Sequence, residues 1–254
     1  MTGVQTCALP ICFPTTTKVY DLDGNLVKLI DEQPLIEQLP KGFGAVPEGK
    51  RCISWRDDQA ATLYWVEAQD GGDPKREAET RDRLFYWEAP FEDEAIQTGL
   101  DFSLRFSGIT WGDASTAIAY EFWWPTRKVI TSAFTPGQPD SKTVLFDRSY
   151  QDRYSNPGDF ATTYNEYGER TLLKGKDGQT LYLTGQGASP EGNRPFIRTY
   201  HLKTKETEEL WRSEAPFYEI PALILDAEAG LAVTRRESPD EPPNYFIRNW
   251  KTGA

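Results

Sequence analysis

The segment Arg51–Asp73, RCISWRDDQAATLYWVEAQDGGD, decides the fold class of this sequence. It predicts two short β-strands, Cys52–Trp55 and Leu63–Glu67, joined by a polar turn and followed by a cluster of Asp and Gly residues. Alternating aromatic and β-branched residues bounded by such clusters are typical of a half-buried hairpin. Similar hairpins return along the chain, and Ile109–Trp111 repeats the pattern of Ile53–Trp55, so the sequence predicts an all-β protein.

The spacing of the repeated strands predicts the architecture. Corresponding strands recur at intervals of roughly 45 to 70 residues, the range of a four-stranded propeller blade with loop insertions. A weaker outer strand is predicted at Ala95–Thr98. We therefore expect residues 12–254 to form an incomplete β-propeller domain, truncated at both ends, with about three complete blades and two partial ones. The third strands of successive blades are predicted at Val19–Leu22, Leu84–Trp87, Lys128–Ser132, Phe196–Leu202 and Tyr245–Trp250.

The first eleven residues differ from the rest of the chain. Met1–Ile11, MTGVQTCALPI, has no charge and no periodicity, and it resembles the translation of a common sequencing-library adapter. Such a segment is excluded from the fold. Without Cys7, only Cys12 and Cys52 remain, and two cysteines imply no disulfide framework. Because the native N-terminus is then missing, the sequence predicts no cellular compartment.

Composition limits the partners of this chain. Its 254 residues contain 39 acidic and 28 basic side chains, which gives a formal net charge of −11. This balance argues against a nucleic-acid partner, because phosphate binding requires a basic face. No apolar run approaches the roughly 20 residues that a membrane-spanning helix requires, so no membrane partner is expected either.

The usual signatures of catalysis are missing from the sequence. There is no G-x-S-x-G motif, which marks the nucleophile of α/β-hydrolases. The one histidine, His201, lies in a predicted strand without a visible triad partner, which favours a structural or surface role. Two cysteines without a histidine cluster do not make a zinc site. We therefore expect no catalytic residue, no metal and no cofactor in this chain.

One short segment combines aromatic and basic residues. Trp123 and Trp124 precede Pro125, Thr126 and Arg127. Adjacent side chains of a strand point to opposite faces, so one indole is expected to pack between blades and the other to face outward. The simpler interpretation is core packing beside a solvated arginine. The functional interpretation is a substrate-binding site in which Trp123, Trp124 and Arg127 receive an acidic group, because a guanidinium matches a carboxylate.

Several segments, spread in order from about residue 40 to residue 211, resemble the glutamyl endopeptidases, serine peptidases of the prolyl oligopeptidase class. Each segment is weak evidence alone, and together they are specific. They are Ile53–Arg56, Thr62–Trp65, Glu67 with Gln69–Asp73, Gly108–Trp111, Leu145–Ser149, Asp152–Gly158 and Gly187–Asn193.

The resemblance implies a β-propeller that covers a C-terminal α/β-hydrolase domain and limits access of substrate to it. Members of this family cleave peptides after glutamate with a Ser-Asp-His triad in the hydrolase domain. The expected partners are therefore a peptide substrate and the covalently linked hydrolase domain, which is absent from this sequence. The alternative is a non-catalytic propeller that binds proteins or glycans; the gene sequence beyond Ala254 distinguishes the two.

Overall fold

The computed structural model describes residues 13–253, and this part of the chain is an all-β protein. Its main strands form five antiparallel sheets that follow one another along the sequence, numbered I to V below. Residues 13–253 contain two short 3₁₀ turns, Asp93–Ala95 and Pro139–Ser141, and no α-helix. No helix in this range is long and apolar enough to cross a membrane. The adapter-like segment Met1–Ile11 lies outside the described residues.

Sheet I is a hairpin of two strands, β1 (Thr15–Tyr20) and β2 (Leu26–Gln33). Its turn is held by Asp21, whose carboxylate accepts the backbone N–H groups of Asp23 and Asn25 at 3.0 and 2.8 Å. A short side chain that bonds the backbone two residues onward is typical of Asx turns. Asp23 and Gly24 therefore lie in the tight turn of this hairpin.

Sheet II contains the predicted hairpin of residues 51–73. The predicted outer strand Ala95–Thr98 was placed too early, because residues 93–95 form a 3₁₀ turn and the strand continues to Phe102. Gly99 allows this continuation, since a Cβ atom there would lie 2.7 Å from the ring of Tyr86. The four strands, consecutive in the sheet, are β3 (Arg51–Trp55), β4 (Thr62–Ala68), β5 (Asp82–Glu88) and β6 (Gln97–Phe102).

Sheet III repeats the same arrangement of four consecutive antiparallel strands. Its strands are β7 (Arg105–Asp113), β8 (Thr116–Trp123), β9 (Lys128–Phe134) and β10 (Thr143–Ser149).

Sheet IV has an interrupted first strand. Residues 159–164 are divided between β11 (Asp159–Phe160), which joins the sheet, and β12 (Thr162–Tyr164), which leaves it. β12 pairs with β13 (Arg170–Leu172) as a separate hairpin. Following along the chain come β14 (Thr180–Gly185), the short hairpin β15 (Ala188–Ser189) and β16 (Gly192–Asn193), β17 (Phe196–His201) and β18 (Thr207–Arg212). The order in sheet IV is β11, β14, β17, β18.

Sheet V has three strands, β19 (Tyr218–Asp226), β20 (Leu231–Glu237) and β21 (Asn244–Asn249). Glu219 ties them together, because its carboxylate accepts two hydrogen bonds from Arg248, at 2.7 and 2.9 Å, and one from Thr234. Burial alone raises the pKa of Glu219, but these hydrogen bonds and the charge of Arg248 outweigh it and lower the pKa.

The core consists of layers between successive sheets. Sheets II and III meet through Val66, Leu84 and Tyr86 on one side and Trp111 and Phe134 on the other. Neighbouring positions of one strand face different layers: Ala117 and Ala119 of β8 face sheet II, whereas Ile118 packs with sheet IV. Each internal sheet is thus covered on both faces, by the sheet before it and the sheet after it.

The predicted third strands agree with this order. Four of them overlap β5, β9, β17 and β21, which are the third strands of sheets II to V. The prediction Val19–Leu22 overlaps β1, although β1 ends at Tyr20. Because successive strands alternate in direction, the connection between second and third strands leaves the sheet at the same strand ends as the connections between sheets. This side of the molecule, formed by strand ends, is called the loop edge below, and the side formed by the other strand ends is called the opposite edge.

Candidate functional site

The segment with Trp123, Trp124 and Arg127 lies at the loop edge of sheet III, in the turn between β8 and β9. Arg127 adopts a left-handed backbone conformation with φ of 59°. Its backbone N–H and its Nη1 both donate to the carbonyl oxygen of Trp124, at 3.2 and 2.9 Å. The carbonyl of Arg127 accepts the N–H of Tyr150, at 2.9 Å. The turn is thereby closed by the arginine itself and joined to the connection that leads to sheet IV.

The two indoles face different surroundings, as their alternation predicts. Trp123 is 9% exposed, and its ring lies 3.8 Å from the guanidinium carbon of Arg81 and against Gly44. Trp124 is half-buried, and its ring centroid lies 5.0 Å from that of Phe43. Trp123 therefore belongs to the interior near sheet II, and Trp124 belongs to the surface of the loop edge.

Around Trp124 the structure forms an aromatic patch of Phe43, Phe122, Trp124 and Tyr150, whose neighbouring rings lie 5.0 to 6.0 Å apart. Phe43 is 70% exposed. The guanidinium of Arg127 lies 4.0 Å from the centre of the Trp124 ring. Stacking of this kind is a favourable cation–π contact that also fixes the direction of the guanidinium.

Arg127 takes part in none of the ion pairs found among residues 13–253. Within this range its guanidinium makes a cation–π contact with the Trp124 ring and one hydrogen bond to a carbonyl oxygen. A guanidinium held in this way retains donors for a carboxylate from another molecule. The arrangement is therefore chemically suited to binding an acidic group beside an aromatic surface.

The same loop edge contains a buried ion network of Arg51, Asp70, Arg81, Asp82 and Arg105. Both carboxylates are completely buried. Nη2 of Arg105 contacts both carboxylate oxygens of Asp70 at 2.8 Å, and Nη1 contacts Asp82 at 2.9 Å. Arg81 pairs with Asp70 at 2.8 Å, and Arg51 with Asp82 at 2.6 Å. Since Arg105 begins sheet III and the other four belong to sheet II or its loop, the network joins two sheets.

The network also positions the segment that carries Phe43. Nε of Arg105 donates to the carbonyl of Gly44 at 2.8 Å. Two residues further on, the N–H of Val46 donates to the carbonyl of Gly72 at 3.1 Å. Gly72 has φ of 71°, and a Cβ atom there would lie 1.9 Å from the oxygen of Val46, so only glycine permits this approach. The ion network and this contact together hold Phe43 over Trp124.

Asp70 belongs to the cluster of Asp and Gly residues that follows the predicted hairpin, and its carboxylate accepts the N–H of Gly72 at 3.0 Å, as in an Asx turn. The ion network itself was missed. Asp82 is the first residue of β5, Arg81 precedes it, and Arg105 is the first residue of β7. Charged residues at the beginnings of these strands were the available signal.

His201 lies in a different place, at the opposite edge. Its Nδ1 accepts the backbone N–H of Thr204 at 3.1 Å, and its Nε2 lies 3.9 Å from Asp177. Hydrogen bonds from the side chain and backbone of Thr180 and from the backbone of Gln179 lower the pKa of Asp177 to about 2. The hydrogen bonds found among residues 13–253 link His201 to no serine hydroxyl. The same range contains no group of three His, Cys, Asp or Glu side chains placed to hold a metal ion.

These features describe an all-β chain of consecutive antiparallel sheets with an aromatic and cationic surface at one edge. No protein-family model matches it. It is 36% identical over 252 residues to a protein of Oryza sativa subsp. japonica named probable glutamyl endopeptidase, chloroplastic. It is 35% identical over 253 residues to a protein of Arabidopsis thaliana with the same name.

Each alignment covers 94% of this chain but only 27% and 26% of the rice and Arabidopsis proteins, so the chain spans about a quarter of the relatives' length. Among solved structures, the periplasmic gluconolactonase PpgL of Pseudomonas aeruginosa aligns with 92% of this chain and 75% of its own. The TM-score of 0.30 and the identity of 12% are too low for any conclusion from that alignment.

Proposed function

We propose that this chain is the propeller part of a longer serine peptidase that cleaves peptides after glutamate. In this proposal the propeller limits access of peptides to a covalently linked α/β-hydrolase domain, which supplies the catalytic triad. The observation that carries the proposal is the similarity of nearly the whole chain to about a quarter of two proteins named as glutamyl endopeptidases. Identity of 35–36% spread over 94% of the chain is not produced by one shared motif.

The order of the sheets supports the propeller part of this proposal. A propeller consists of four-stranded antiparallel sheets, consecutive in sequence, each packed against the next. Sheets II, III and IV have this form and this packing. In the proposed register they are three complete blades, sheet I is the outer half of a blade, and sheet V is a blade without its fourth strand. Further blades would cover the exposed outer face of sheet V, which includes Leu223, Tyr245 and Ile247.

The gene beyond the codon of Ala254 tests the peptidase assignment directly. We expect an in-frame G-x-S-x-G motif followed by an aspartate and a histidine, because this is the order of triad residues in α/β-hydrolases. A stop codon after one or two more blades would instead indicate a non-catalytic propeller that binds proteins or glycans.

The chain by itself is expected to be inactive. Purified protein of the present sequence should not cleave a fluorogenic peptide with glutamate before the scissile bond, because within residues 13–253 no serine hydroxyl is hydrogen-bonded to His201. The measurement is release of the fluorophore, with a longer protein that includes the hydrolase domain as the positive control. Robust turnover by the present chain, abolished by a serine-directed inhibitor, would contradict this assignment.

Arg127 is the residue proposed to receive acidic substrate, because its guanidinium is held on Trp124 and pairs with no carboxylate of the described residues 13–253. In the full-length enzyme, Arg127→Ala should raise KM for glutamyl peptides by about tenfold, the effect of losing about 1.4 kcal/mol of binding. Arg148→Ala is the matched control, since Arg148 is bound to Ser149, Asp152 and Asn156 in the next connection. Unchanged kinetics in the Arg127 variant would leave this arginine with a packing role only.

A further inference from the structure

A cavity of about 390 Å³ lies at the opposite edge, away from the aromatic patch and Arg127. One wall is the turn between β3 and β4, residues 56–61, together with Ser54 and Trp55 at the end of β3. The other wall is the hairpin of β12 and β13, which contributes Tyr167 and Glu169. Cavities of this size fall within the range of small-ligand sites in proteins.

The hairpin is fixed against the turn by Asn165. Its Nδ2 donates to the carbonyl of Asp57 at 2.6 Å, which joins the β12–β13 hairpin to the β3–β4 turn of sheet II. Its Oδ1 accepts the backbone N–H groups of Tyr167 and Glu169, both at 3.0 Å. One side chain therefore both shapes the tip of the hairpin and holds it at the cavity. The hydrogen bonds of Asn165 therefore fix the positions of Tyr167 and Glu169 at the cavity.

The charges that line the cavity are not balanced. Arg56 lies beside it, but its guanidinium makes two hydrogen bonds to Asp58, at 3.0 and 2.8 Å, and both side chains are buried. Asp57 and Glu169 take part in none of the ion pairs among residues 13–253. Burial raises the pKa of Asp57, and the charges of Glu169 and Asp58 raise it further. The cavity therefore has two carboxylates whose repulsion a cation would relieve.

Two aromatic side chains complete the lining. Trp55 is 45% exposed and Tyr167 is 57% exposed, although both belong to residue types that proteins usually cover. Aromatic faces attract an ammonium or guanidinium group, and adjacent carboxylates add a direct ion pair. Ala60 and Ala61 keep the remaining wall small and uncharged. Aromatic rings beside unpaired carboxylates are the complement of a cationic side chain with an apolar stem.

We propose that this cavity binds the lysine or arginine side chain of a peptide. The inference does not depend on the peptidase assignment, because it rests only on the residues of this cavity. It gives the two edges of the sheets opposite preferences: Arg127 faces acidic groups at the loop edge, and the cavity faces basic groups at the opposite edge.

Titration of the full chain with Nα-acetyl-lysine amide, whose side-chain ammonium group is free, tests this assignment. The readout is the NMR resonance of the Trp55 indole N–H, assigned by its loss in Trp55→Phe. We expect a saturable shift with the lysine probe and with N-acetyl-arginine amide. The uncharged N-acetyl-norleucine amide, which has the same stem, should produce none. Absence of saturation by either cation at millimolar concentrations, or equal binding of the norleucine probe, would overturn the proposal.

Two glutamates of the same hairpin provide a matched pair of variants. Glu169→Gln removes a cavity carboxylate without changing the side-chain shape, and the affinity for the lysine probe should fall about tenfold, equivalent to 1.4 kcal/mol. Glu166→Gln changes the charge of the protein equally at an exposed position outside the cavity lining, and the affinity should stay the same. Amide spectra of both variants report whether the hairpin is intact. Equal affinities of the two variants would overturn the proposal.

Discussion

Replacement of Arg105 by methionine is expected to lower the free energy of unfolding by about 3–5 kcal/mol. Methionine retains most of the apolar stem, so the loss comes from the guanidinium. Without it, each carboxylate keeps one arginine of the network and one backbone N–H, which are Arg81 and Gly72 for Asp70 and Arg51 and Phe106 for Asp82, while both carboxylates remain completely buried. Removing one partner from a buried ion pair is costly because the remaining charge cannot recover its hydration.

Urea denaturation followed by tryptophan fluorescence measures this change. Arg83→Met is the matched control, because Arg83 pairs with Asp101 at 2.5 Å on an exposed part of sheet II. Exposed pairs contribute about 1 kcal/mol or less, so the control should unfold nearly as the unchanged protein does. If both variants lost the same small free energy of unfolding, the ion network would stabilise the fold no more than a surface ion pair does. That result would contradict the role given to Arg105.

Trp111→Ala is expected to have a similarly large effect, a loss of about 3–5 kcal/mol. Trp111 is fully buried at the centre of the layer between sheets II and III. Its ring centroid lies 5.2 Å from that of Tyr64 and 6.0 Å from that of Phe134, and the guanidinium carbon of Arg56 lies 4.6 Å from it. Truncation would remove these contacts and leave a cavity that strands on both sides cannot close.

The control for this prediction is another tryptophan. Trp55→Ala removes an indole that is nearly half exposed, at the end of β3, and the loss should be less than half of that at Trp111. Thermal unfolding by circular dichroism compares the two. An equal loss in both variants would show that the layer between sheets II and III does not depend on Trp111.

The strand positions were predictable because they depend on local alternation. Cys52–Trp55 and Leu63–Glu67 fall within β3 and β4, although β4 is covered on both of its faces and not half-buried as the hairpin pattern predicts. Exact strand ends were less predictable. Gly99 looks like a strand terminator in the sequence, yet it lies inside β6 because the Tyr86 ring occupies the space of a side chain.

The candidate site was predictable only in part. The opposite directions of Trp123 and Trp124 follow from strand geometry, and the structure has them. The stacking of Arg127 on Trp124 depends on a left-handed backbone conformation at Arg127. The sequence does not predict that conformation, because glycine and asparagine are the residues that usually adopt it. Asp70 and Arg105 are 35 positions apart, so their contact depends on how two sheets pack and not on any local pattern.

The hydrogen bond between Asn165 and Asp57 joins residues 108 positions apart and connects the β12–β13 hairpin to sheet II, and β13 also contacts β7 of sheet III. In a serial array, each unit otherwise interacts only with its neighbours and opens from the ends. Because Leu172 of the hairpin also packs on sheet IV, we expect the three central sheets to open as one cooperative unit and sheets I and V to open separately. Amide hydrogen exchange should therefore be uniformly slow in the second strands of sheets II to IV and faster in β1 and β21.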